Sequence, residues 1–307
     1  MALQHVTARH ILTPARGCLA EWATSGGEQG VTHTLNPFVG CPIGRTMCGA
    51  ACYAQHFLPW RCTGHRPEDW GKAFYVKRGG PELYVKDIVA IQREGTVGIF
   101  MSSVTEPMPP QRSAREVSRA ILEAMVKQPP ARGLIIQSHT AYAASPEIVE
   151  QLVRLNQRTG LLVSISIETD QEHIRGLRRP CSSVEDRLGA FSVLAEHGIL
   201  TQASVSPILP GSPERLASLL RASGVWRVIL DHWEIGDGSG GARTESVGFP
   251  ELLRANGYDA RWFRASILDE LQPVFEAKGF PGGVGRKEQY FAAIPRHGLA
   301  ARHYASN

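Results

Sequence analysis

Apolar positions along this chain follow two alternating periods. Short apolar runs read as strands: Val31 to Leu35, Val97 to Val104, Gly133 to Gln137, Leu161 to Ile167, Ile199 to Val205 and Val225 to Leu230. Between them the spacing turns helical. Pro81 to Arg93 reads as a helix. Ser113 to Lys127 follows, with Val117, Ile121 and Leu122 on one face. Ser145 caps a helix with Pro146 in its first turn, Ser183 to His197 ends at Gly198, and Ser212-Pro213 opens another. About six strands alternating with helices predict parallel βα units, an α/β fold. A full or partial (β/α)6 TIM-type barrel fits best, and a doubly wound sheet is the competing architecture. In both, functional side chains gather where strands end.

Three segments follow. Residues 1–30, ending in a glycine-rich stretch, read as an N-terminal extension or strap, and 31–240 as the barrel core. Residues 241–307 read as a mostly helical C-terminal cap closing the cavity. Gly236 to Gly241 reads as a flexible loop. The 307 residues suit a single α/β barrel, and a 43% hydrophobic content supplies its core. No apolar run reaches a membrane span, and the N-terminus has no signal-peptide block, so a cytoplasmic setting without paired disulfides is expected. A net charge of +4 is too weak to argue for nucleic acid.

The cysteines change the picture. Three of the six fall within one short loop, as Cys41, Cys48 and Cys52, and His56 follows. Clustered thiolates are soft ligands that select iron–sulfur clusters or zinc. Cys41, Cys48, Cys52 and His56 would make a closed Cys3His zinc site, as in compact nucleic-acid-binding fingers. Such fingers are small modules, whereas this loop opens an α/β pattern. Cys18 and Cys62 are isolated and read as ordinary buried thiols, with Cys62, ten residues past Cys52, able to approach the same site as the alternative. Asp231-His232-Trp233-Glu234 follows the sixth strand and would face a barrel mouth, where it could bind substrate.

Several segments share an order. Leu35-Asn36-Pro37-Phe38-Val39-Gly40-Cys41 and Cys52-Tyr53-Ala54 bracket the cysteine loop. Val104-Thr105-Glu106-Pro107 follows the second strand, Val163-Ser164-Ile165-Ser166 forms the fourth, Arg187-Leu188 lies in the next helix, and Ser206-Pro207-Ile208-Leu209-Pro210-Gly211 comes after the fifth. Over roughly residues 34–211 this order resembles radical S-adenosylmethionine enzymes of the spore photoproduct lyase-like branch. The spacing differs: C-x6-C-x3-C here against that branch's C-x3-C-x2-C.

The resemblance implies a [4Fe–4S] cluster on Cys41, Cys48 and Cys52, with S-adenosylmethionine on the fourth iron. It implies reductive cleavage to methionine and a 5′-deoxyadenosyl radical that abstracts hydrogen from a substrate, and an external electron donor such as flavodoxin or ferredoxin. The expected cofactor contacts are Tyr53, just after the last ligand, and Ser102, Ser103, Ser138, Ser166 and Glu168, at strand ends. His139 reads as a structural or substrate residue. Cys181 and His232 are the candidate catalytic residues on the substrate side. Repair of the photoproduct itself is the alternative within the family. Against it, the lyase's hydrogen-returning cysteine falls at Ser103, and its relay tyrosine at Ala51. A small-molecule or nucleoside-like substrate, in specialised biosynthesis, is the preferred expectation.

Overall fold

The computed structural model describes residues 3–17, 19–21, 30–290 and 293–305. Its centre is an eight-stranded sheet in the order β11-β10-β9-β8-β7-β6-β3-β2. The six expected strands are β3 (His33–Leu35), β6 (Gly98–Met101), β7 (Gly133–Ser138), β8 (Leu161–Ser166), β9 (Thr201–Val205) and β10 (Arg227–Leu230). All are parallel neighbours; β6 to β10 are joined in turn by the helices Arg112–Lys127, Pro146–Asn156, Val184–Glu196 and Pro213–Ala222, and β3 reaches β6 through the cysteine loop and the helix Gly80–Ile91. Two edge strands come from unexpected places. β2 (Leu12–Pro14), from the N-terminal extension, pairs antiparallel with β3. β11 (Val284–Arg286), from the tail expected to be helical, pairs parallel with β10.

Alternation along each strand divides its side chains between two environments. Ile99 and Met101, Leu134 and Ile136, Val163 and Ile165, Ala203 and Val205, and Val228 and Leu230 pack outward. They meet Ile121, Leu122, Leu152, Phe191, Leu216 and Leu271 of the surrounding helices. The other parity starts apolar and ends polar. Phe100, Ile135, Leu162, Leu200 and Ile229 form an inner cluster. Two to six residues further on, the same parity reaches Ser102, Gln137 and His139, Ser166 and Glu168, Ser204 and Ser206, and Asp231. All of these line one cavity. Side chains from the ends of five adjacent strands can share one cavity only if the sheet curls, which is the partial-barrel geometry.

The C-terminal tail does three jobs rather than one. Phe249 lines the cavity. The helix Ile267–Glu276 packs outside the sheet, against the helix Pro213–Ala222. Ile294 and Ala300 join the inner apolar cluster at the opposite end, where Ile294 abuts Gly98 and Gly133 at the starts of β6 and β7. Removing everything after residue 244 would therefore delete a sheet strand and part of the core as well as a cap.

Two local expectations are also corrected. The Ser145 hydroxyl donates back to Tyr142 O at 2.9 Å instead of capping the helix it precedes. Gly236 to Gly241 is not a loose loop. The buried Asp237 carboxylate accepts from the backbone N–H groups of Ser239 (2.7 Å), Gly241 (3.0 Å) and Thr244 (3.1 Å). Ser183 caps its helix through a reciprocal box with Asp186.

Candidate active site

The cysteine loop is an excursion between β4 (Phe38–Gly40) and β5 (Phe74–Lys77), which pair antiparallel in a small three-stranded sheet with β1 (Gln4–Val6). Gly40 has φ +77°, and a Cβ there would lie 2.8 Å from the Trp60 ring, so only glycine fits. Asn36 donates to Ser103 Oγ (3.3 Å) and accepts from Val104 N (3.2 Å). Thr105 Oγ1 donates to Gly40 O (2.8 Å), and the Tyr53 hydroxyl to Ser103 O (2.8 Å). The two sequence segments around Asn36 and Thr105 are thus two halves of one joint that clamps the loop to the end of β6.

Cys41, Cys48 and Cys52 all line the cavity. Burial pushes every one of these thiols up, Cys52 to about 11. The charges of Cys52 and Cys41 raise Cys48 further. Three adjacent buried thiols become thiolates only beside a compensating cation. His56 does not line this cavity; its Nε2 lies 3.5 Å from Ser246 Oγ. Among the described residues no three His, Cys, Asp or Glu side chains converge on a point that one ion could occupy. Tetrahedral zinc needs all its ligands about 2.0–2.3 Å from one centre, whereas a cube-shaped cluster takes each thiolate at a separate iron. With His56 away from the cavity, the donor set does not close as Cys3His, and three thiols on one cavity are the kind of donor set a cluster takes. Cys62 is exposed, and Cys18 lies outside the described residues.

Tyr53, Ser102, Ser103, Ser166 and Glu168 line the cavity beside the thiols, but Ser138 does not. Ser138 is fully buried and donates to Glu106 Oε1 at 2.8 Å. Glu106 is a wall residue missed by sequence reasoning. It accepts also from Met108 N and His139 N, each at 2.7 Å, and burial raises its pKa. Glu168 has the opposite character. Burial alone would raise it, but the Arg187 guanidinium (2.7 Å) and the His139 ring (3.4 Å) hold it at about 2. Arg187 is itself buried and also donates to Ser166 O.

Across the cavity, Asp231 Oδ2 accepts from Ser206 Oγ (2.6 Å) and lies 3.2 Å from Lys287 Nζ. A Cβ on Gly236 would fall 2.1 Å from this oxygen, so glycine makes room for the carboxylate. Lys287, just past β11, was invisible while that strand was read as helix. Met47, Leu177, Leu209, Trp233 and Phe249 make the neighbouring wall apolar.

Neither candidate catalytic residue reaches the cavity. Cys181 packs in the same cluster as the cysteine loop without lining the cavity, and burial raises its thiol to about 11. His232 is fully buried. Its Nδ1 accepts from Glu234 N, its Nε2 faces Trp262 O, and burial lowers its pKa. Its helix-capping role leaves Asp231 and Trp233, on either side of it, to face the cavity.

Among the described residues, five buried polar atoms on cavity-lining residues have no hydrogen-bond partner: Ser102 Oγ, Gln137 Oε1, His139 Nδ1 (which faces Glu168 at 3.4 Å), Asp231 Oδ1 and Trp233 Nε1. Each such atom costs about 1–3 kcal/mol when left unmet. Their concentration around one cavity is what a polar ligand would relieve.

No protein-family model matches the chain. The uncharacterized protein MJ0683 of Methanocaldococcus jannaschii is 25% identical over 183 residues, which is 59% of this chain and 62% of that protein. Two solved structures of spore photoproduct lyase match more of it. A cysteine-to-serine variant aligns with a TM-score of 0.58 at 14% identity, over 94% of this chain and 88% of that one. The complex with dinucleoside spore photoproduct aligns at 0.56 and 13%, over 92% and 87%. Superposition at these scores over nearly the whole length of both chains means that this chain has the fold of spore photoproduct lyase.

Proposed function

We propose that this protein is a radical S-adenosylmethionine enzyme acting on a small-molecule or nucleoside-like substrate. The observation that carries the reading is one cavity with three cysteine thiols along one part of its lining and unpartnered polar atoms around the rest. When bound and reduced, a [4Fe–4S] cluster with S-adenosylmethionine supplies a 5′-deoxyadenosyl radical for hydrogen abstraction. Cys41, Cys48 and Cys52 would hold the cluster. Tyr53, Ser102, Ser103, Gln137, Ser166 and Glu168 line the same cavity, and would hold and orient S-adenosylmethionine. Arg187 keeps Glu168 ionised, so it presents an acceptor rather than a proton.

The apolar wall of Met47, Leu177, Leu209, Trp233 and Phe249 would exclude water and receive the substrate, with Asp231 as a fixed acceptor. Lys287 is turned onto Asp231, which disfavours a phosphate-bearing substrate in the cavity. Ser103 lines the cavity where the lyase resemblance expects a hydrogen-returning cysteine. A serine O–H is a poor hydrogen-atom donor, which favours a reaction other than photoproduct reversal, in specialised metabolism.

The test is anaerobic reconstitution with iron and sulfide. The protein should take up about four irons per chain, absorb broadly and bleach under dithionite. Added S-adenosylmethionine should yield 5′-deoxyadenosine. Stoichiometric zinc and no iron, in protein prepared without oxygen, would refute the reading.

A further inference from the structure

The charge of this chain is unevenly placed. Residues 41–78 and 173–179 together carry nine lysines and arginines against two acids, although the whole chain is only +4. These two segments are stitched together directly over the cysteine loop. Met47 N donates to Arg179 O (3.0 Å), and Arg178 Nη1 donates to Arg45 O (3.1 Å). Arg45 lies between the first two thiols in sequence, and the turn at Gly71 packs against its backbone. Arg45, Arg178 and Arg179 are exposed, and among the described residues no carboxylate lies within ion-pair distance of them. Nearby, Asp69 is occupied by Lys72 at 2.7 Å. A cluster of exposed, uncompensated cations is an electrostatic steering surface.

We propose that this face docks a small acidic one-electron donor protein. The inference rests on the cluster reading above. In the step it serves, the donor loses one electron, the thiolate-bound cluster gains it, and no bond changes. Electron transfer through protein falls steeply with distance, so the surface over Cys41 to Cys52 is the natural entry. Nucleic acid is the rival polyanion. The cavity gives phosphate no support, because Lys287 is committed to Asp231.

Reduced flavodoxin is the probe, and the double variant Arg45→Glu with Arg179→Glu is the test. Both side chains are exposed and outside the cavity lining. Titration calorimetry should show flavodoxin binding weakened by about tenfold or more, with wild-type binding falling similarly as salt rises. Flavodoxin-driven formation of 5′-deoxyadenosine should slow in parallel, while the dithionite-driven rate stays unchanged. Lys278→Glu, ahead of β11 at the far end of the sheet, should change neither. Unaltered flavodoxin binding in the double variant would overturn the proposal. So would salt-sensitive binding of a thymidine oligonucleotide through the same arginines with none of flavodoxin. If dithionite also yields no 5′-deoxyadenosine, the cluster reading fails, and the calorimetry still reports on the surface.

Discussion

Replacing any one of Cys41, Cys48 or Cys52 with alanine should abolish 5′-deoxyadenosine formation and reduce iron uptake from about four per chain to a small residue. The reason is the donor count. The three thiols share one cavity wall, and among the described residues no fourth cysteine lines it to substitute. A cube left with two protein ligands is labile, and each remaining buried thiol reverts to its high-pKa neutral form. Cys62→Ala and Cys181→Ala should keep both iron and cleavage, since one side chain is exposed and the other packs outside the cavity. The measurement is iron and sulfide content with single-turnover product analysis, all without oxygen. A Cys48→Ala protein that keeps its iron while Cys62→Ala loses it would reassign the ligands.

The parallel strands were legible because each carries its burial in a simple period. In Leu161–Ser166 the outward residues are Leu161, Val163 and Ile165, and the inward row ends in Ser164 and Ser166. Such a row announces both the strand and the place where the cavity begins. β2 and β11 were illegible for the opposite reason. They are three residues long, and their pairing partners lie 21 and 56 positions away in register. Val284-Gly285-Arg286 has no period of its own, and it is a strand because β10 offers it an edge. The same missing edge hid Lys287.

Cavity residues were found where they follow a strand end directly, as at Ser102, Ser166 and Glu168. They were misread where a second interaction captures the side chain. Ser138 stands at a strand end but is fully committed to Glu106. His232 follows β10 at a helix N-cap, and the backbone N–H of Glu234 claims its ring. Cys181 lies on a long loop whose path no local pattern fixes. Arg187 was visible as a residue at the start of a helix, but only the fold brings its guanidinium 2.7 Å from Glu168.

That buried pair yields the second large effect. Arg187→Leu should destabilise the protein by about 3–5 kcal/mol at neutral pH, because it strands an uncompensated carboxylate. In the wild type, Glu168 is held at about 2, below its ordinary 4.5. A depressed carboxyl contributes stability above its unfolded pKa and loses it as pH falls from about 4.5 toward 2. In the variant the sign reverses. Burial without Arg187 raises Glu168 above 4.5, so acidification protonates it preferentially in the folded state and favours folding. The gap between the two proteins should therefore narrow by about 3 kcal/mol or more as pH falls from neutrality to 3. Urea unfolding of metal-free protein across that range reads it directly. A gap that stays constant with pH would mean that Arg187 acts through packing alone. Arg187→Lys should recover part of the loss, because it restores a charge but cannot serve Glu168 and Ser166 O together in the same fork.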